Sequence, residues 1–145
     1  VNRAALVLLL VVAAFGTTAH ADTWELKIPE RVEVTAGTSG TLPIAIVIDR
    51  GKTISKDGGI VLDLAPEGGL TVKKRRLSRT DAVDPDADAP RFAIPLRADA
   101  ARDYTLRVRL RFWVCGQKVC RPVDAKRSVV VAVTAPSAPA DAGVP

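Results

Sequence analysis

The chain has 145 residues, with 21 Lys and Arg against 16 Asp and Glu, one histidine, two cysteines and no methionine. A formal charge of +5 with few aromatics interleaved among the basic residues reads as a solvated basic surface and argues against a nucleic-acid binder. With so few Phe, Tyr and Trp, any core must be built mainly from Val, Leu and Ile.

The opening VNRAALVLLLVVAAFGTTAHA has a lone Arg3, an apolar run over 4–15 and a small-residue ending Ala19-His20-Ala21. About a dozen apolar residues fall short of the roughly 20 needed to span a bilayer, and an A-x-A site follows directly. The stretch 1–21 reads as a secretory signal peptide cleaved after Ala21, which directs the product to the periplasm or outside the cell. No cysteine stands at the cleavage point to carry a lipid anchor, and no membrane span is expected in the mature chain. Removing 21 of 145 residues leaves 124, enough for one domain, and loss of Arg3 lowers the formal charge from +5 to +4.

From there the apolar period is two. In TLPIAIVIDR the residues Leu42, Ile44, Ile46 and Ile48 alternate with smaller or polar neighbours. In YTLRVRLRFWV the residues Leu106, Val108, Leu110, Phe112 and Val114 alternate with Arg107, Arg109, Arg111 and Trp113. Both read as half-buried strands, and further strands are expected at 31–36, 59–65, 70–77, 91–98 and 126–134. Gly, Pro and Asp clusters such as AGTSG, KDGG, PEGG and DPDADAP separate them. The pattern predicts an all-β chain: an immunoglobulin-like antiparallel β-sandwich of about seven strands over 22–134. The Pro/Ala-rich tail 135–145 has little to bury and is expected to be disordered.

Three charged features have plain readings. The run Lys73-Lys74-Arg75-Arg76 falls inside the expected strand 70–77, where neighbours point to opposite faces, so it reads as a charge-guarded edge. The acidic loop with Asp81, Asp84, Asp86 and Asp88 lacks a calcium-loop pattern: counted from Asp84, Ala89 and Pro95 stand where Gly and Glu are needed. It reads as a solvated loop. The stripe of Arg107, Arg109 and Arg111 is the outward face of a strand whose other face is core.

The only histidine, His20, leaves with the signal peptide. A Ser-His-Asp or Cys-His nucleophile then has no base, a zinc site would have two soft ligands, and a copper carrier would lack His and Met. No metal or cofactor is expected. What remains is the pair Cys115 and Cys120 in FWVCGQKVCRPVD.

A C-x4-C spacing at a turn between strands sets the two cysteines opposite each other across a hairpin, with Gly116 expected to supply backbone freedom. Cross-strand Cα atoms lie about 4.5–5.5 Å apart, within disulfide range, and an oxidising compartment favours the bond. The loop is short, so the chain-entropy relation gives about 2 kcal/mol, a modest staple. Strand parity turns Cys115 outward with Arg111 and Trp113, open to a partner thiolate, while Lys118 and Arg121 would favour a thiolate and Trp113 would shield it. Staple and reagent both fit these residues.

The segment YTLRVRLRFWVCGQKVCRPVDAKRSVVVAV (104–133) resembles the end of the N-terminal periplasmic domain of DsbD-type thiol:disulfide interchange proteins. In that family an immunoglobulin-like sandwich carries a long strand, a cysteine, a short loop, a second cysteine followed closely by proline, and a closing strand. Cys115, Cys120 and Pro122 match those positions. The resemblance implies a redox pair that accepts electrons from a thioredoxin-like domain and passes them to periplasmic oxidoreductases. Two functions are therefore expected in competition. One is an extracytoplasmic thiol:disulfide exchange module using Cys115 and Cys120, supported by Trp113, Gly116, Lys118 and Pro122. The alternative is a non-catalytic secreted sandwich that binds a partner and keeps the disulfide for structure.

Overall fold

The computed structural model describes residues 23–137, so the signal peptide, its cleavage point after Ala21 and the tail beyond 137 lie outside the described residues. Alternation of large apolar and polar residues builds the strands. In β8 (Phe92–Ala98) the residues Phe92, Ile94, Leu96 and Ala98 are buried and the residues between them are exposed. In β9 (Asp103–Cys115) Tyr104, Leu106, Val108, Leu110, Phe112 and Val114 turn inward. β3 (Ser39–Ile48) contributes Leu42, Ile44 and Ile46 to the same core.

These strands fall into two facing sheets. The first has β3 flanked by β1 (Trp24–Lys27) and β8, with β6 (Leu70–Val72) on the far side of β8. The second runs β2 (Arg31–Thr35), β10 (Cys120–Thr134), β9, β5 (Val61–Pro66), β7 (Arg76–Leu77), and the two-residue β4 (Thr53–Ile54) also pairs with β9. Inward-facing side chains of both sheets make one core, closed at one side by an edge-to-face contact of Trp24 on Phe112 at 5.7 Å. This is the expected all-β sandwich.

Its immunoglobulin-like character shows at Tyr104. The ring is buried at the start of β9, and its hydroxyl donates to the Ala100 carbonyl at 2.9 Å, the tyrosine corner of such sandwiches. Gly69, with φ of +96°, passes so close that a Cβ there would lie 3.0 Å from the ring. The Arg102 guanidinium covers another side of the ring, 3.8 Å from its centroid. Two residues after this tyrosine, where antibody domains place an inter-sheet cysteine, stands the fully buried Leu106.

The architecture departs from expectation in three ways. The described residues form ten strands rather than about seven, because β1 and β4 are too short to show alternation in sequence and because 70–77 is divided. Its first part, β6, pairs with β8 in one sheet, and its second, β7, pairs with β5 in the other. Lys73, Lys74 and Arg75 form the corner between them, outside any strand. Lastly, the sandwich is not wholly antiparallel: β2 lies parallel to β10. The chain leaves β1, crosses to the second sheet through Ile28-Pro29-Glu30 and keeps its heading, which sets it alongside β10 in the same direction.

Candidate functional site

The longest ladder in the molecule ends at the cysteines. β9 and β10 pair from Asp103↔Ala132 to Cys115↔Cys120, and the turn beyond is closed by the Gly116 N–H donating to the Val119 carbonyl at 2.9 Å. Cys115 and Cys120 are disulfide-bonded with Cα atoms 4.0 Å apart. Cys120 is exposed, whereas Cys115 is half-buried because Thr53 of β4 pairs with it on the other flank. The bridge therefore lies on the outer face, in line with the parity of β9.

The other expected residues gather around it in different roles. Trp113 and Pro122 stand opposite each other on the next outward rung. The indole is 40% exposed and rests on Gly58, where an added Cβ would come 2.7 Å from its Cδ1. The expectation for Gly116 needs correcting. Its φ does not lie in the left-handed region; what its missing side chain leaves is room for Lys52, whose Nζ would be 2.7 Å from a Cβ. Lys118 is exposed in the turn.

Away from the bridge, the same outer face carries an ionic lattice. Asp63 of β5 accepts from Arg76 Nε at 2.7 Å and from a terminal guanidinium nitrogen of Arg111 at 2.8 Å. The Arg76 hydrogen bond, reinforced by Arg111, holds the Asp63 carboxyl below its usual range. Asp124 of β10 is gripped by Arg109 through two hydrogen bonds of 2.9 and 2.6 Å, and that grip lowers its pKa likewise. Arg111 faces Asp124 in the ladder but reaches diagonally to Asp63, while Arg109 faces Asp63's strand and reaches diagonally to Asp124. The arginine stripe is thus partly neutralised rather than simply solvated. Arg107 and Lys126, on the same face, make no ion pair among the described residues.

One residue that organises this end of the molecule carries no sequence signal. Arg79, in the short 3-10 turn Arg79–Asp81, sends its guanidinium to the carbonyls of Pro85 and Ala87 at 2.9 and 3.1 Å and of Ile54 at 2.8 Å. The Ile54 N–H in turn donates to the Asp88 carbonyl. Arg79 thereby binds the acidic loop to β4, and β4 lies against Cys115. Two of the loop's four carboxylates are already engaged: Asp81 accepts from the Ser78 N–H and Lys74, and Asp84 from the backbone and side chain of Arg91. Among the described residues no group of three His, Cys, Asp or Glu side chains is placed to hold a metal ion.

No protein-family model matches the chain, and no curated protein matches its sequence. Among solved structures it is similar to AggA, the major subunit of aggregative adherence fimbriae type I from Escherichia coli. That likeness has 9% identity and a TM-score of 0.40, over 77% of this chain and 94% of that one. It is also similar to the CooA pilin subunit from enterotoxigenic Escherichia coli, with 15% identity and a TM-score of 0.34 over 77% and 98% of the two chains. Murine CRIg shows 10% identity and a TM-score of 0.35 over 79% and 98%. No helix among the described residues is long and apolar enough to cross a membrane.

Proposed function

We propose that this chain is a non-catalytic extracytoplasmic binding domain in which the Cys115–Cys120 bond is a structural clamp. The observation that carries this reading is the position of the bridge at the last rung of a continuous antiparallel ladder, beyond which a backbone hydrogen bond already closes the turn. A covalent bond there keeps the tip from fraying and holds the Trp113–Pro122 rung and the ionic lattice as a fixed surface for a partner. The leader 1–21 and the oxidising environment that a disulfide requires support the extracytoplasmic placement.

A second reading, thiol:disulfide exchange through Cys115 and Cys120 with a thioredoxin-like domain or a periplasmic oxidoreductase, has the exposure of Cys120 in its favour. Equilibration in dithiothreitol redox buffers separates the two. A clamp has a reduction potential below about −300 mV, whereas an exchanging pair lies near or above the thioredoxin value of about −270 mV. A potential in the upper range, with a mixed disulfide trapped by Cys115→Ala, would replace the first reading with the second.

A further inference from the structure

The long strand β10 is paired on both sides for only part of its length. β2 covers Val130–Thr134, and along 120–128 only β9 pairs with it among the described residues. Four hydrogen bonds define which backbone groups face the open side. Gly116 N–H donates to Val119 O and Val133 N–H to Arg102 O, both toward β9; Val130 N–H donates to Glu30 O and Ala36 N–H to Thr134 O, both toward β2. Odd-numbered residues of β10 therefore serve the ladder with β9, and even-numbered residues turn their N–H and C=O groups outward. Cys120, Asp124, Lys126 and Ser128 present outward donors. Pro122 falls on the even register, where its missing N–H costs the ladder with β9 nothing.

The result is an open edge of nine residues, about 30 Å long. Its charges are one-sided. Lys118, Arg121, Lys126 and Arg127 are all exposed and make no ion pair among the described residues, while the single acid within the edge, Asp124, is occupied by Arg109. Arg127 reaches only the Lys126 carbonyl, at 2.8 Å. Such cations protect an edge against another copy of itself, since pairing two copies sets like charges together. They do the opposite for a strand that carries carboxylates.

We propose that the edge 120–128 of β10 is a strand-addition site for an acidic, extended segment of a partner protein. The segment continues the second sheet by hydrogen bonds to the even-numbered residues and places carboxylates on both faces of the sheet, against Lys126 on one and against Arg121 and Arg127 on the other. The proposal rests on the binding-domain reading and names the partner's chemistry and mode of docking. Glu30, whose carbonyl takes the Val130 N–H, closes the site at one end, and the disulfide fixes the other.

The test uses the oxidised chain, isotopically labelled, and a synthetic eight-residue peptide in which pairs of glutamates alternate with pairs of valines, so that carboxylates lie on both faces of the added strand, followed by NMR. Saturable binding is expected, with amides of Asp124, Lys126 and Ser128 shifting and gaining protection from hydrogen exchange. Lys126→Pro removes an outward N–H without touching a ladder bond and is expected to weaken binding at least tenfold. Lys126→Glu keeps the N–H, reverses the charge and should weaken it comparably. Equal binding by a lysine–valine peptide, shifts confined to another face, or no saturation at millimolar peptide overturns the proposal. So does a dimer that Lys126→Pro dissolves, which assigns the edge to a second copy. The redox titration above is independent: a low potential with no peptide binding removes this inference alone, and a high potential removes the binding-domain reading itself.

Discussion

The two ends of β9 are secured by opposite means. At its start, Tyr104 is buried and tied back to Ala100, with Gly69 and Arg102 packed around the ring, so the anchor is part of the core. At its finish, Cys115 is tied to Cys120 on the outer face, and its flank is held by β4, which depends on Arg79. An anchor inside the core contributes burial as well as a bond. An anchor outside it stabilises mainly by restricting the chain, and it leaves its surroundings free to meet a partner.

The sharpest way to break that contrast is to remove the buried anchor. Tyr104→Ala is expected to cost about 3–5 kcal/mol, against about 1 kcal/mol for Tyr104→Phe, which loses only the hydrogen bond. Urea unfolding measures both, and a cost for the alanine variant no larger than for the phenylalanine one would erase the distinction. Next comes Arg79→Ala, which strips the carbonyls of Ile54, Pro85 and Ala87 of a charged donor and is expected to cost about 2–3 kcal/mol. Hydrogen exchange should then show faster exchange at the Ile54 amide and through 79–91, with the Tyr104 end unchanged. Opening the disulfide as Cys115→Ala/Cys120→Ala is expected to cost about 2 kcal/mol, lowering the melting temperature by about 5–10 °C, with loss of order confined to the hairpin tip.

The smallest effect belongs to the ionic lattice. The folded-state pKa values of Asp63 and Asp124 are depressed by their arginines, so the stability they confer is present above the unfolded carboxyl value of about 3.9. It is lost as pH falls through the lower folded-state values. These pairs are exposed and their contribution is screened by solvent. Asp63→Asn should therefore flatten the acid-side fall in stability between about pH 5 and 2, leaving the curve above pH 6 parallel to that of the parent. An unaltered acid limb would show that the lattice orders the surface without stabilising it.

Where side chains alternate over seven or more residues, the sequence was readable. The strands β3, β8 and β9, the core row from Leu106 to Val114 and the outward facing of Cys115 all follow from a period of two. The disulfide follows from turn spacing and compartment. What lay hidden depends on contacts between distant segments. Nothing in Thr53 and Ile54 announces a two-residue strand beside Cys115, and Arg79 looks like any surface arginine until the carbonyls of Ile54, Pro85 and Ala87 are assembled around it. The parallel run of β2 is equally silent, because strand periodicity does not encode the direction of a neighbour. Gly116 shows a subtler gap: glycine in a turn suggested a backbone need, while the structure uses the empty space for Lys52.

The segment 70–77 belongs to both layers, entering one as β6 and leaving in the other as β7. Such a lacing means the layers have no independent existence: sliding one across the other must tear a backbone thread on one side or the other. Melting should accordingly proceed as a single event, and a cut in the main chain at Lys74 would be the way to let the two halves come apart separately.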